Sequence, residues 1–147
     1  IKKHSIYRMA IDQNTLKQAV YPIVGACHEV HKHLGAFLNE YMYQDALAIE
    51  LSCRNIPYEK EFAFSADYKG QRIEHQHKAD FCVHGADTDI LIECKAADKL
   101  IDTHRQQLWN YMRLSGIHVG VLYNFAPMYA QCEKYYYDPE TVRMIAF

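Results

Sequence analysis

Between Asn14 and Leu34 the apolar residues Leu16, Val20, Ile23, Val24, Cys27, Val30 and Leu34 recur at the intervals that build one face of a helix, and Gly35 follows as a stop. Pro22 lacks an N–H to donate, so the pattern predicts either a kink there or a helix that begins near Tyr21 with Pro22 in its first turn. A second helix fits Leu38 to Arg54, with Asn55 and Pro57 as breakers. The periodicity then changes. Tyr58 to Tyr68, with Phe62 and Phe64 alternating against charged or small residues, reads as a strand that turns at Lys69-Gly70 into a second one. Lys78 to Val83 and Asp89 to Lys95 read as strands joined by a turn from His84 to Thr88, and Ile90-Leu91-Ile92 has the apolar run of a central strand. A third helix, capped by Asp102 or Thr103, is predicted to about Ser115 with Leu108, Tyr111, Met112 and Ser115 on one face and Gly116 after it. Buried strands over His118 to Tyr123 and Gln131 to Tyr137 complete an α/β order that implies a mixed sheet flanked by helices.

Composition narrows the class. A chain of 147 residues, half of them apolar, suits one domain with one core, and no stretch is long and apolar enough to span a bilayer. The opening Ile1–Ser5 lacks the apolar run and cleavage site of a secretory signal. A formal charge of -2 excludes a protein that coats nucleic acid by bulk electrostatics, while leaving room for a local basic face. Five scattered cysteines without a Cys-x-x-Cys pair point to a reducing, cytoplasmic setting rather than to disulfides or an iron-sulfur cluster.

The candidate chemistry lies in the predicted hairpin. A symmetric turn about Ala86-Asp87 sets Asp80 across from Glu93 and Cys82 across from Leu91, with Lys95 on the same face of its strand as Glu93. Two facing carboxylates and an ammonium on the most apolar strand pair are costly to desolvate without a partner, and a divalent cation supplies one. Oxygen ligands from Asp80, Glu93 and the Cys94 carbonyl suit Mg2+ or Mn2+, and Lys95 is placed to orient a water or offset developing charge, the chemistry of phosphodiester hydrolysis. The alternative at this point is a salt-bridge cluster joining two strands. Among the nine histidines, His28 and His31 share a helical face; His31 is kept as a site-lining residue, and His28, His33, His75 and His77 are read as structural or surface groups.

A longer pattern surrounds these residues. Ile23 to Gly35 followed by Leu38-Asn39-Glu40-Tyr41-Met42-Tyr43, then Lys78-Ala79-Asp80-Phe81, Ile92-Glu93-Cys94-Lys95, Gln107-Leu108-Trp109-Asn110-Tyr111, Leu114-Ser115-Gly116 and Val121 to Phe125, resembles in order the GxxExxY proteins of the PD-(D/E)XK nuclease superfamily. Phe37 stands where that pattern has its glycine. The resemblance implies a restriction-endonuclease-like core and a metal-dependent nuclease acting on nucleic acid, with DNA the expected substrate. It implies that Glu40 completes a metal site with Asp80, Glu93 and Cys94. It also implies that Lys95 and Gln107 serve catalysis and that Tyr111 helps hold nucleic acid; Tyr43, on one helical face with Glu40, and the site-lining His31 are further candidates to meet it. Two other readings stay open. One is a catalytically silent module that binds nucleic acid or protein through the same cleft. The other is a self-associating scaffold, suggested by twelve tyrosines and the run Tyr135-Tyr136-Tyr137.

Overall fold

The computed structural model describes residues 12–147, so the reading of Ile1–Ser5 lies outside the described residues. Helices α1 (Gln13–Leu34) and α2 (Glu40–Cys53) precede strands β1 (Tyr58–Tyr68), β2 (Gln71–His84) and β3 (Asp89–Lys95); α3 (Asp102–Ser115) then leads to β4 (Val119–Asn124), β5 (Gln131–Asp138) and β6 (Arg143–Ala146). The six strands lie in chain order across one sheet. Only β3 and β4 run parallel, as the α3 crossover between them requires; every other neighbouring pair is antiparallel.

The two faces of the sheet bury different sets. On one face Phe81, Val83, Ile90, Ile92, Cys94, Val121 and Tyr123 pack with α1 and α2 through Val20, Ile23, Cys27, Tyr43, Leu47 and Leu51. On the other face Ala79, Cys82, Leu91 and Leu122 pack against Leu108 and Met112 of α3. Gly120 lets α3 come close: a β-carbon there would stand 2.6 Å from Met112 Sδ and 3.0 Å from Leu108 Cδ1. The central strands β3 and β4 are therefore apolar on both sides, which is why Ile90-Leu91-Ile92 shows no alternation.

Three expectations need correction. Helix α1 does not begin at Tyr21; it starts at Gln13, where the Asp12 carboxylate accepts the Thr15 N–H at 2.8 Å, and it continues past Pro22. Pro22 is exposed, so the carbonyl it leaves without a helical donor sits on the wet side of the helix. The residue flanking α3 is Ile101, and Asp102 is the first helical residue. His104 Nδ1 reaches back to accept the Ile101 N–H at 3.2 Å, and no Asp102 or Thr103 side chain caps the first turn. Strand β6 was not foreseen, because four residues with one half-buried side chain carry too little pattern.

Phe37 departs from the backbone region that side-chain-bearing residues favour. Its φ is 67°, in the left-handed region, its side chain is 79% exposed, and its N–H donates to the Ala126 carbonyl at 3.0 Å. The turn thus keeps the geometry of a glycine at the position where the resembling pattern has one. A left-handed non-glycine residue costs about 1–2 kcal/mol, of which the greater unfolded-state freedom of glycine returns part. Phe37→Gly is therefore expected to raise stability by about 0.5–1 kcal/mol in urea unfolding, with the secondary structure unchanged.

Candidate active site

The hairpin register is the expected one: Cys82 pairs with Leu91 and Phe81 with Ile92. Beyond that pair the β2–β3 ladder ends, and the next two residues satisfy the backbone with side chains. The Asp80 N–H donates to Glu93 Oε1 at 3.0 Å, and the Cys94 N–H donates to Asp80 Oδ2 at 2.8 Å. Each carboxylate is held by an amide of the opposite strand and keeps a second oxygen for other work. On its other side β2 also departs from regular pairing. The β1–β2 ladder passes from Lys60↔Phe81 to Phe62↔Ala79 and omits Glu61 with Asp80, and Glu61 has a φ of 54°. The alternation of faces slips by one at this point, so that Ala79 joins Cys82 on the α3 face.

Glu40, the first residue of α2, stands half-buried near this pair. Gln44, one turn on, donates to Glu40 Oε2 at 3.3 Å, and its amide helps hold the Asp80 carboxyl down against the effect of burial. Lys95 Nζ donates to Gln107 Oε1 at 2.9 Å, and Gln107 Nε2 donates to the Tyr111 hydroxyl at 3.2 Å. Tyr111 is in turn edge-on to Phe64 at 5.4 Å and tilted against His77 at 5.7 Å. A shallow groove beside these rings is bounded by His77, Gln107 and Tyr111 with Thr103, Gln106 and Asn110.

Burial dominates the electrostatics. Desolvation first, and the charge of Asp80 second, push the Glu93 carboxyl up to about 8. Desolvation raises Asp80 as well, against the opposing effects of the Cys94 N–H and Lys95. Glu40 is raised by burial and then by Asp80. Three acids that resist ionisation when packed together, on hard oxygen donors, form a set that a divalent cation would relieve. The arrangement is open rather than closed. Among the described residues the only three Cys, His, Asp or Glu ligand atoms within 4.8 Å of one another belong to Glu59, Cys82 and His84, so the oxygens of Glu40, Asp80 and Glu93 do not all converge within that span.

Two assignments from the sequence are altered. Tyr43 is fully buried, stacked on Phe125 at 4.9 Å, with its hydroxyl donating to the Gly35 carbonyl and accepting the Leu38 N–H. It braces the loop that presents Glu40 and is closed to nucleic acid. Three residues of helix turn the direction by about 60°, enough for Glu40 to face the cleft while Tyr43 faces the core. His31 Nε2 is engaged with the Pro127 carbonyl at 2.8 Å, a contact that ties α1 to the loop after β4, so its role is structural. The Cys94 side chain is buried on the α1–α2 face, and the ligand expected of this residue, its carbonyl, is unchanged. Gln44 and His77 were missed. Gln44 could have been found as the residue one turn after Glu40; His77 could not, since its face depends on the slip at Asp80.

A mixed sheet whose central hairpin holds an Asp, a Glu-x-Lys and a helix acid defines a class, and the sequence matches the PD-(D/E)XK nuclease superfamily over residues 17–135. The chain belongs to that superfamily, and its fold is of the restriction-endonuclease-like type. The crystal structure of SSO0001 is similar, with 22% identity and a TM-score of 0.51 over 65% of this chain and 48% of that one. This chain thus spans about half the length of that protein, and the likeness bears on the fold. No curated protein matches the sequence.

The raised Glu93 carboxyl sets a pH dependence. Between the ordinary carboxylate range and about pH 8 the folded protein holds a proton that the unfolded chain has released, so stability declines as pH rises through this interval. In metal-free buffer the melting temperature is expected to fall from pH 5 to pH 8. Glu93→Gln, which keeps an oxygen to accept the Asp80 N–H, should flatten that slope.

Proposed function

We propose that this chain is a divalent-metal-dependent nuclease of the GxxExxY group, a single domain that hydrolyses phosphodiester bonds in DNA in a reducing, cytoplasmic setting. The observation that carries the reading is the side-chain interlock of Asp80 and Glu93 at the point where β2 and β3 part, with Lys95 aligned by Gln107 beside it. Asp80 and Glu93, with the Cys94 carbonyl, would hold Mg2+ or Mn2+, and Glu40 would join through water. When bound, such an ion acidifies water and offsets charge on a phosphate oxygen.

The chain's own residues supply the rest. The amides of Asp80 and Cys94 fix the orientation of the two carboxylates before substrate arrives. Gln107 holds the Lys95 ammonium on the face shared with Glu93, where it can orient the attacking water or meet the developing negative charge. Gln44 holds the Glu40 carboxylate through its side-chain amide. Phe64, His77 and Tyr111 form an aromatic cluster next to Gln107 on which an unpaired base can stack, and the groove along α3 carries the amides of Gln106 and Asn110. The five free cysteines suit the reducing compartment.

Glu93→Gln and Lys95→Ala are each expected to lower Mg2+- or Mn2+-dependent cleavage of DNA by at least about 100-fold, with unchanged circular dichroism. Retained cleavage in both variants overturns the assignment. Tyr111→Ala should raise KM more than it lowers kcat if the ring holds substrate. A silent binding module on the same fold would bind nucleic acid with no calorimetric signal for Mg2+ or Mn2+, and that titration separates the two readings.

A further inference from the structure

The three ligand atoms that do converge lie elsewhere. Glu59 and Cys82 are register partners on β1 and β2, His84 is two residues along β2 from Cys82, and Asp89 on β3 pairs with His84. All four share the α3 face, further down β2 from Asp80. Cys82 Sγ, an imidazole nitrogen of His84 and a carboxylate oxygen of Glu59 lie within 4.8 Å of one another. His84 Nε2 is 3.0 Å from Glu59 Oε2, and Nδ1 is 2.9 Å from Asp89 Oδ1.

We propose that Glu59, Cys82 and His84 form a second cation site, selective for zinc, in which Asp89 holds the histidine and a water takes the fourth position. The donor set is one sulfur, one nitrogen and one oxygen, which suits zinc and not the hard Mg2+ or Mn2+ of the Asp80 site. The Asp89 contact is the arrangement that orients metal-binding histidines: an Nδ1–H given to a carboxylate leaves the Nε2 lone pair aimed at the ion. Cys82 is 1% exposed while the Glu59 and His84 side chains are 57% and 40% exposed, so the sulfur forms the floor and the ion enters from solvent. Binding replaces the S–H bond of Cys82 by a metal–thiolate bond and releases that proton to solvent. The ion would join β1 and β2 at the root of their long hairpin. It acts independently of the nuclease reading, since none of its ligands belongs to the Asp80 site.

The test uses the whole chain and the metal alone. Co2+ is expected to bind at one equivalent with a thiolate-to-cobalt charge-transfer band that Zn2+ displaces, and Zn2+ should raise the melting temperature. Cys82→Ser should abolish the band. Cys53→Ser and Glu93→Gln should keep it, which separates this site from the exposed Cys53 thiol and from the Asp80 site. If Cys82→Ser does not fold, the half-exposed positions decide: His84→Ala should lose the band, and Asp89→Asn should weaken Zn2+ binding about 10-fold or more. No thiolate band in the unaltered protein, a band that survives Cys82→Ser or His84→Ala, or Zn2+ affinity unchanged in Asp89→Asn overturns the proposal. The first of these outcomes would leave His84 as an ionic clamp between Glu59 and Asp89.

Discussion

The exchange between two side chains and two backbone amides at the end of the β2–β3 ladder governs the rest of the site. A strand pair that diverges leaves N–H groups exposed at a depth where water is scarce, and each such group costs free energy if left unpaired. Here the carboxylates of Asp80 and Glu93 take those amides. The same two groups that make the split of the sheet tolerable are thereby oriented toward the cleft that the split opens. Their burial is what makes them reluctant to ionise, and that reluctance is the physical ground for expecting a cation between them.

Around that point the elements divide the remaining tasks. Helix α2 brings Glu40 and Gln44 because Tyr43 secures the preceding loop from inside. Helix α3 brings Gln107 and Tyr111 because Gly120 permits its close approach to β4 and because Arg105 forks onto Glu133 of β5 with bonds of 2.7 and 2.8 Å. That pair fixes the rotation of α3 about its axis, and so the direction in which Gln107 points at Lys95.

What could be read in advance followed from regular periods. Asp80, Glu93 and Lys95 were legible because a hairpin with period-two alternation and a symmetric turn has only one arithmetic. Glu40 and Gln107 came from a resemblance, since nothing local distinguishes them from other polar helix residues. The failures sit where the period breaks. The paired slip at Glu61 and Asp80 moves His77 to the α3 face, against simple alternation, and Tyr43 turned inward because one helical turn spans both core and cleft. Pro22 misplaced the start of α1 because sequence does not say which side of a helix is wet.

The segment between Lys95 and α3 is tied down by two amide side chains. Asn124, wholly buried at the end of β4, accepts the Ala97 N–H and donates to the Ala97 carbonyl and to Gln131, which itself accepts the Leu100 N–H. That segment is consequently moored on both sides and is no lid. On the other side the outer part of the β1–β2 hairpin extends past the last residue that β3 pairs with. The two sides of the cleft are therefore held by different means, one by buried amide hydrogen bonds and the other by aromatic packing of Phe64 and His77 on Tyr111.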